Sequence, residues 1–534
     1  MEELSWTGSF GSNLIPALVI TAAVFLAGVV LQLIMGFFAP EEKLQANADG
    51  TLQSRGGLLG GLEKLNGQIF MLIVFILAAI VVISWFMPYG KAGILGEVIK
   101  RFLPVWIALI VTFALSITFK RKLGLYGKLF DSTIGMIGFA LVMFWVFTSI
   151  FVGVFDMIAT HDPLQQISGL KNKTPGIAVP EGQDADFFPH YLLGGDNLAR
   201  DIFSRMVHGS VIVMIIAPLA TVFAFMVGIT LGLPAGYYGG VAVEPKSLIF
   251  WVITLVFAVL AILAVVTFGF GPGLMAVVAL AILLALLTHS KLDTILSFLA
   301  NLILAFPVIL LFYLLVTPEI VETGLPNYMA AFLFIFPLIF FGVLINSRYK
   351  TQGSKNTLYL AVVLIPLAFI YLSAISEPNS PLQIWPAALD LFSINSGILV
   401  VFVSVVFVNS PTVFRIVRGL ALDIKTRDYV AAAQTRGEGT WYIMLWEILP
   451  NARGPLIVDF CLRIGYTTIL LGTLGFFGLG LPPESPDWGS TINEGRKLLL
   501  IFAHPALPPA MALLSLVLGL NLLADGLREE SLKD

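Results

Sequence analysis

Asp459 and Arg463 stand four residues apart inside an apolar run that opens near Gly454. At 1.5 Å rise per residue, Arg463 lies about 13 Å into such a helix, a depth where charges are rare and face protein or a water-filled path. Two readings stay open. Arg463 lines a translocation pathway and meets a substrate carboxylate, or the pair neutralises itself and holds its helix against a neighbour. The other reactive residue types lack the company that chemistry needs. There is no G-x-x-x-x-G-K-[ST] phosphate loop and no G-x-S-x-G nucleophile turn. The five histidines have no metal-ligand spacing, and Cys461, the single cysteine, permits neither a disulfide framework nor a cysteine metal site and reads as packing. The sequence thus reads as a non-enzyme with no cofactor of its own.

The elements that must hold these residues are apolar. Of 534 residues, 58% are hydrophobic and 12% charged, against about 25% charged in soluble domains, so the chain belongs in a lipid bilayer. A spanning helix takes roughly 20 apolar residues. Thirteen such runs begin near Leu14, Ile69, Phe102, Ser132, Gly209, Ser247, Gly271, Thr294, Asn327, Asn356, Leu391, Gly454 and Pro505. The fold class is therefore an all-α polytopic membrane protein. Within the uncharged stretch from Ser247 to Ser290, the glycines of Gly269-Phe-Gly-Pro-Gly273 mark a hairpin rather than a nucleotide loop. The run from Leu14 to Phe38 is too long for a signal h-region and follows the acidic leader MEELSW, so it is expected to stay as an anchor.

With the N-terminus outside and the C-terminus cytosolic, Lys and Arg number 20 on the inner side and 9 on the outer, in keeping with the positive-inside rule. The 89–101 loop, with Lys91, Lys100 and Arg101, is the weakest point of that count. A net charge of −3 with no concentrated basic face argues against nucleic acid.

Three connecting segments stand out. The inner loop 415–453 contains RDYVAAAQTRGEGTWYIMLWEILPN, Arg427 to Asn451. Asp428 to Arg436 reads as a short Ala-rich helix ended by Gly437 through a left-handed cap. Trp441, Leu445 and Ile448 then form one apolar stripe on a helix along the membrane surface. A helix of small side chains suits insertion into a cleft on another protein; by pattern alone an ordinary amphipathic loop is the favoured reading. On the outer side, LGGDNLARDIFSR, Leu193 to Arg205, pairs Asp196 with Arg200 and Asp201 with Arg205 at i,i+4 on one helical surface, a solvated helix start. FFGLGLPPESPDWGSTINEGR, Phe476 to Arg496, is stiffened by Pro482, Pro483 and Pro486, with Gly478 and Gly480 at bends and Trp488 as an interfacial anchor. It serves structure or substrate contact.

These segments resemble the permeases of bacterial binding-protein-dependent ABC importers. Ala432, Ala433, Gly437, Ile448, Leu449 and Pro450 match that family's inner loop, with Ala431 where an acid is frequent. Leu193 to Arg205 resembles L-G-T-D-x-x-G-R-D-x-x-S-R of the C-type subunit of dipeptide, oligopeptide and nickel permeases, with Gly195 and Ala199 as departures. GLPAGYYGG, Gly232 to Gly240, is similar to A-G-Y-Y-G-G. The stretch around Pro483, Trp488, Gly489 and Glu494 and the ending Asn521 to Leu532 also resemble that group.

The resemblance implies a type I ABC importer transmembrane domain with six core helices, and an importer of peptides or similar small solutes in the bacterial cytoplasmic membrane. It implies that Asp428, Tyr429, Ala432, Ala433, Arg436, Gly437, Glu438, Leu449 and Pro450 dock on an ATPase. Partners are then a second permease subunit, two ATP-binding subunits carrying ATP and Mg, and an extracytoplasmic solute-binding protein. It runs from about Ser132, leaving 1–131 as an N-terminal extension with three helices; pairs near 247–290 and 327–376 read as insertions in the 132–534 permease domain. The rivals are a secondary transporter or channel, for which only Asp459 and Arg463 qualify as intramembrane ionisable groups, and a scaffold with idle permease motifs.

Overall fold

A computed structural model describes residues 3–11, 14–38, 45–46, 52–53, 58–180, 188–239, 292–305, 307–376, 396–479 and 484–531. Apart from two short antiparallel strand pairs, Gln45–Ala46 with Leu52–Gln53 and Ile177–Ala178 with His190–Tyr191, its regular structure is helical. Ten helices among the described residues are long and apolar enough to cross a membrane, and a bent pair makes up to eleven. Every expected run on described residues is helical; the pair at 247–290 lies outside them. The run near Thr294 is not one straight span. Leu292–Ala305 and Val308–Val316 diverge by 77° across Pro307, whose ring cannot continue a helix's hydrogen bonds.

Two helices start well before their apolar runs. Leu58–Phe86 begins eleven residues ahead of Ile69 and carries Glu63 and Lys64, and its Asn66 donates to Gln32 of Leu14–Phe38 at 2.9 Å. Ile202–Tyr238 begins seven residues ahead of Gly209. Its 37 residues reach about 55 Å at 1.5 Å each, well beyond a hydrocarbon layer of about 30 Å, so both ends lie in connecting regions.

The chain divides into two compact units. One comprises Met1–Ile110, Ile150–His208 and Glu494–Pro508. Here the backbone N–H of Leu4 donates to Gly176 O at 2.9 Å, that of Ile94 to Ser5 O at 3.0 Å, and Tyr89 Oη meets His190 Nδ1 at 2.7 Å. The Arg101 guanidinium lies 4.2 Å from the Phe188 ring centroid. These contacts gather the N-terminal residues, the 89–101 stretch and described residues of the 157–208 loop.

The other unit comprises Val111–Ser149, Gly209–Asn493 and Pro509–Asp534. Its core centres on Ala217, Ala220, Val401, Val403, Val405 and Val406, each fully buried. Gly228, Gly232 and Gly236 form a small-residue stripe on Ile202–Tyr238 that lies on Ser396–Ile424. A Cβ at Gly228 would sit 2.5 Å from Val413 Cγ1, one at Gly232 2.9 Å from Phe414 O, and one at Gly236 2.6 Å from Ala421 Cβ. Close approach of this kind is how helices associate where lipid removes the hydrophobic drive. The 327–376 pair is a hairpin, Leu325–Tyr349 and Gly353–Ile375, within this unit.

Candidate functional site

The inner loop builds a small protruding helix on a buried base. Asp428–Thr435 is helical, with Asp428 in its first turn, where the helix dipole favours an anion. Gly437 has φ +78, its N–H donates to Gln434 O at 2.9 Å, and the Glu438 N–H donates to Ala433 O at 3.3 Å. That pair of bonds is the Schellman cap, and the left-handed residue inside it would cost a side-chain-bearing residue about 1–2 kcal/mol. Val430 and Ala433 are fully buried, while Asp428, Tyr429, Ala431, Ala432, Arg436 and Gly437 are exposed. Ala432 and Ala433 therefore divide their roles, one outward and one into the base. Arg436 Nη2 reaches Glu447 Oε1 at 2.9 Å and its Nε lies 3.9 Å from Glu438 Oε1, so this exposed cation is already oriented by two acids.

The second half of the loop departs from the expected surface helix. Ile443–Ile448 is a π-helix between short α-turns, Thr440–Tyr442 and Leu449–Asn451, with Pro450 exposed and Leu449 half-buried. Leu445 and Ile448 are buried, packing with Trp441 against Val413, Val417, Ala421 and Leu456. The stripe faces protein, not lipid, because the extra residue per π turn brings Ile443, Met444, Leu445 and Ile448 all inward. The base is also tied to GLPAGYYGG: Gln434 Nε2 donates to Tyr237 Oη at 3.2 Å, Tyr238 Oη to Thr440 Oγ1 at 3.2 Å, and Lys425 Nζ to Gly236 O at 2.9 Å.

In the N-terminal unit the charges of Leu193–Arg205 are buried rather than solvated, and of the two expected i,i+4 pairs Asp196–Arg200 forms while Asp201–Arg205 does not. Asp196, Arg200, Asp201 and Arg205 are all 2% exposed or less. Asp196 Oδ1 accepts the N–H groups of Leu198 and Arg200 at 2.8 and 2.9 Å in an Asx turn, and Oδ2 accepts Arg200 Nε at 2.7 Å. Ala199 in that turn has φ +62, where the resembled motif carries glycine. Asp201 caps Ile202–Tyr238 instead of pairing with Arg205; it accepts the Ser204 N–H at 3.2 Å and the hydroxyls of Ser204 and Thr160 at 2.6 Å.

Arg205 turns to Asp196 Oδ2 at 3.8 Å and to Glu494 Oε2 at 3.6 Å, and Glu494 also accepts Arg200 Nη2. Among the described residues, two guanidiniums and two carboxylates from distant segments thus meet in one cluster, buried but for the partly exposed Glu494. Burial pushes the Glu494 carboxyl above its ordinary range, with both arginines opposing. Burial also raises the Tyr191 hydroxyl, reinforced by Asp201 and Asp196.

Of the Phe476–Arg496 segment, the described residues around Trp488 are packed into the larger unit. Trp488 is 1% exposed and packs edge-on to Trp145 at 5.0 Å, so it is core rather than an interfacial anchor. Asp487 Oδ1 caps Trp488–Arg496 by accepting the Ser490 N–H at 2.9 Å. A Cβ at Gly489 would lie 2.3 Å from Gly472 O, so the loop helix rests backbone to backbone on Arg453–Phe476. Pro483 lies outside the described residues.

Residues 277–529 match the family described as "Binding-protein-dependent transport system inner membrane component". Over that stretch, just under half of its length, the chain is similar to the inner membrane components of binding-protein-dependent transport systems. Among its relatives is the glutathione transport system permease protein GsiD of Pectobacterium atrosepticum, 39% identical over 134 residues, which are 25% of this chain and 44% of that protein. The same-named proteins of Escherichia coli O1:K1 and Shigella flexneri serotype 5b are 38% identical over 136 residues, 26% of this chain and 45% of each. The chain thus spans less than half the length of these curated relatives. The family match takes in the inner loop and the outer Trp488 segment; Leu193–Arg205 precedes it.

Within the matched residues, Arg463 Nε donates to Asp459 Oδ2 at 2.9 Å along Arg453–Phe476, and Arg463 is 7% exposed. The pair forms as the i,i+4 spacing indicated. Sequence reasoning passed over His161 and His504. His161 is buried, with Nδ1 3.3 Å from Asp201 Oδ2 and Nε2 2.9 Å from Phe188 O. His504 Nε2 lies 3.4 Å from Gly195 O, and burial lowers its pKa. Neither has a local motif; both meet partners 27 or more residues away.

Proposed function

We propose that this chain is one permease subunit of an ATP-driven importer that carries peptides or similar small solutes across the bacterial cytoplasmic membrane. A second permease subunit completes the path, two separate ATP-binding subunits hold ATP and Mg and perform the hydrolysis, and an extracytoplasmic protein delivers the solute. The observation that carries this reading is the Asp428–Thr435 helix, with small exposed side chains, a rigid Gly437 cap and a buried base. Such a knob fits a cleft on a cytosolic partner. Closure of the ATPases then moves it as a rigid body and switches the side to which the cavity opens. The name of the matched relatives, glutathione transport system permease, supports a small-peptide substrate. The charge count supports an N-terminus outside and a C-terminus in the cytosol.

The test is a cysteine at Gly437 in the complex purified from membranes, together with glutathione uptake into proteoliposomes. A crosslink from that cysteine to an ATP-binding subunit and uptake that needs ATP are expected. Uptake by this chain alone without ATP would refute the reading.

A further inference from the structure

We propose that the inserted helix Leu325–Tyr349 is a brace for the coupling loop, and that Ser347 and Arg348 are positioning residues acting through Trp446. This rests on the importer reading for the loop's role. Trp446 sits within the π-helix, between the exposed knob and the spanning helix Arg453–Phe476. Its indole Nε1–H donates to Ser347 Oγ at 3.0 Å, and Ser347 in turn donates to Leu344 O at 2.9 Å, so the hydroxyl's proton is committed and its lone pair faces the indole. The Arg348 guanidinium lies 4.5 Å from the centroid of the same ring.

Phe340, Val343 and Leu344 of that helix pack against the cluster that holds Ile443, Met444, Leu445 and Ile448. Beside these contacts, a narrow apolar crevice of about 10 Å³ lies among Ile229, Leu233, Phe340, Val343, Trp441 and Leu445. The loop is pinned through polar contacts where Trp446 meets Ser347 and Arg348.

A π-helix lies one register step from an α-helix, so it absorbs or transmits a displacement according to what holds it. Any movement of the loop away from this position must break the indole hydrogen bond and the ring stack. Removing them makes displacement easier and frees the ATPases to close without solute. In complexes purified with the ATP-binding subunits and set in lipid nanodiscs, the double variant Ser347→Ala/Arg348→Gln should raise basal ATP hydrolysis roughly fivefold. That is the scale of one net hydrogen bond plus an exposed cation–π contact. Crosslinking from Gly437→Cys should persist, and Ser347→Thr, which keeps the hydroxyl, should hydrolyse at the parent rate.

Parent-rate hydrolysis in the double variant, with the crosslink intact, overturns the brace and leaves the importer reading standing. Absence of the crosslink in the parent overturns the importer reading and the brace with it. Should the double variant fail to assemble, Trp446→Phe decides, since it keeps an aromatic face for Arg348 while losing the N–H and part of the indole. A rise of roughly twofold or more supports the brace, and the parent rate refutes it.

Discussion

Four glycines on the Arg453–Phe476 helix and the outer loop give a graded test of how tightly that loop is seated. A Cβ at Gly465 meets Leu520 Cβ at 3.7 Å, an ordinary contact, so Gly465→Ala should be neutral or stabilising by up to about 1 kcal/mol through helix propensity. At Gly472 the obstacle is Leu513 Cδ1 at 2.4 Å, the far end of a flexible side chain, and rotamer adjustment should hold the cost to about 1 kcal/mol. At Gly475 the new methyl meets Asp487 Oδ1 at 2.2 Å and the Ser490 N at 3.0 Å, which disturbs the cap of the loop helix and should cost about 2 kcal/mol. At Gly489 every near atom is backbone: Gly472 O at 2.3 Å, Phe476 N at 2.8 Å and Gly475 Cα at 2.9 Å. Relief there needs the two segments to part by about 1 Å, at about 3 kcal/mol or more. Heating the detergent-purified variants should order them in this sequence, with Gly489→Ala about 5 °C or more below Gly465→Ala. Ser490→Cys, at a buried site, should resist maleimide in the parent and label once Gly489→Ala is added. Equal midpoints for the Gly465 and Gly489 variants, or unchanged labelling, would refute the close seating.

Ala199→Gly should stabilise the chain by about 1 kcal/mol, because φ +62 strains an alanine, and a rise in thermal midpoint checks it. The His504 pKa is lowered by burial, so the fold disfavours its charged form; the stabilisation is present above the ordinary histidine range near 6.5 and is lost as pH falls through the depressed value. Protease sensitivity of the outer loops should therefore rise below about pH 6.5, and His504→Gln should flatten that dependence. Asp459→Asn strands Arg463 and should cost about 3–5 kcal/mol, whereas Asp459→Asn/Arg463→Met should recover most of it. A double variant as unstable as the single would show that Arg463 is held by other groups.

The spanning helices were legible because lipid imposes their composition. Their ends were less so, since hydropathy marks what the bilayer requires and not where hydrogen bonding stops. Leu58–Phe86 runs past its apolar stretch through Glu63, Lys64 and Asn66, and Ile202–Tyr238 starts where Asp201 caps it. The knob was legible because its determinants are local: three alanines and a glycine at the left-handed position. Its base was not, since the π turn changes which side chains point inward and no residue announces it. Of the charges in Leu193–Arg205, spacing found the Asp196–Arg200 pair but not its setting, a turn closed by Asp196 on its own backbone, and it misassigned Asp201, which caps the following helix. The partner that completes the cluster, Glu494, is 294 residues from Arg200.

Ile202–Tyr238 is long enough to contribute to both candidate regions. Its first turn presents Arg205 to Glu494, and its last turn presents Tyr237 and Tyr238 to Gln434 and Thr440. Between them, Gly228, Gly232 and Gly236 strap the helix to Ser396–Ile424, which leads directly into Asp428. A hydrogen bond from each phenol is worth about 1 kcal/mol, whereas the glycine stripe seats the two helices so closely that an added Cβ would meet its neighbour at 2.5–2.9 Å. In any displacement of the 428–450 loop from this helix pair, the phenol contacts therefore yield before the strap does.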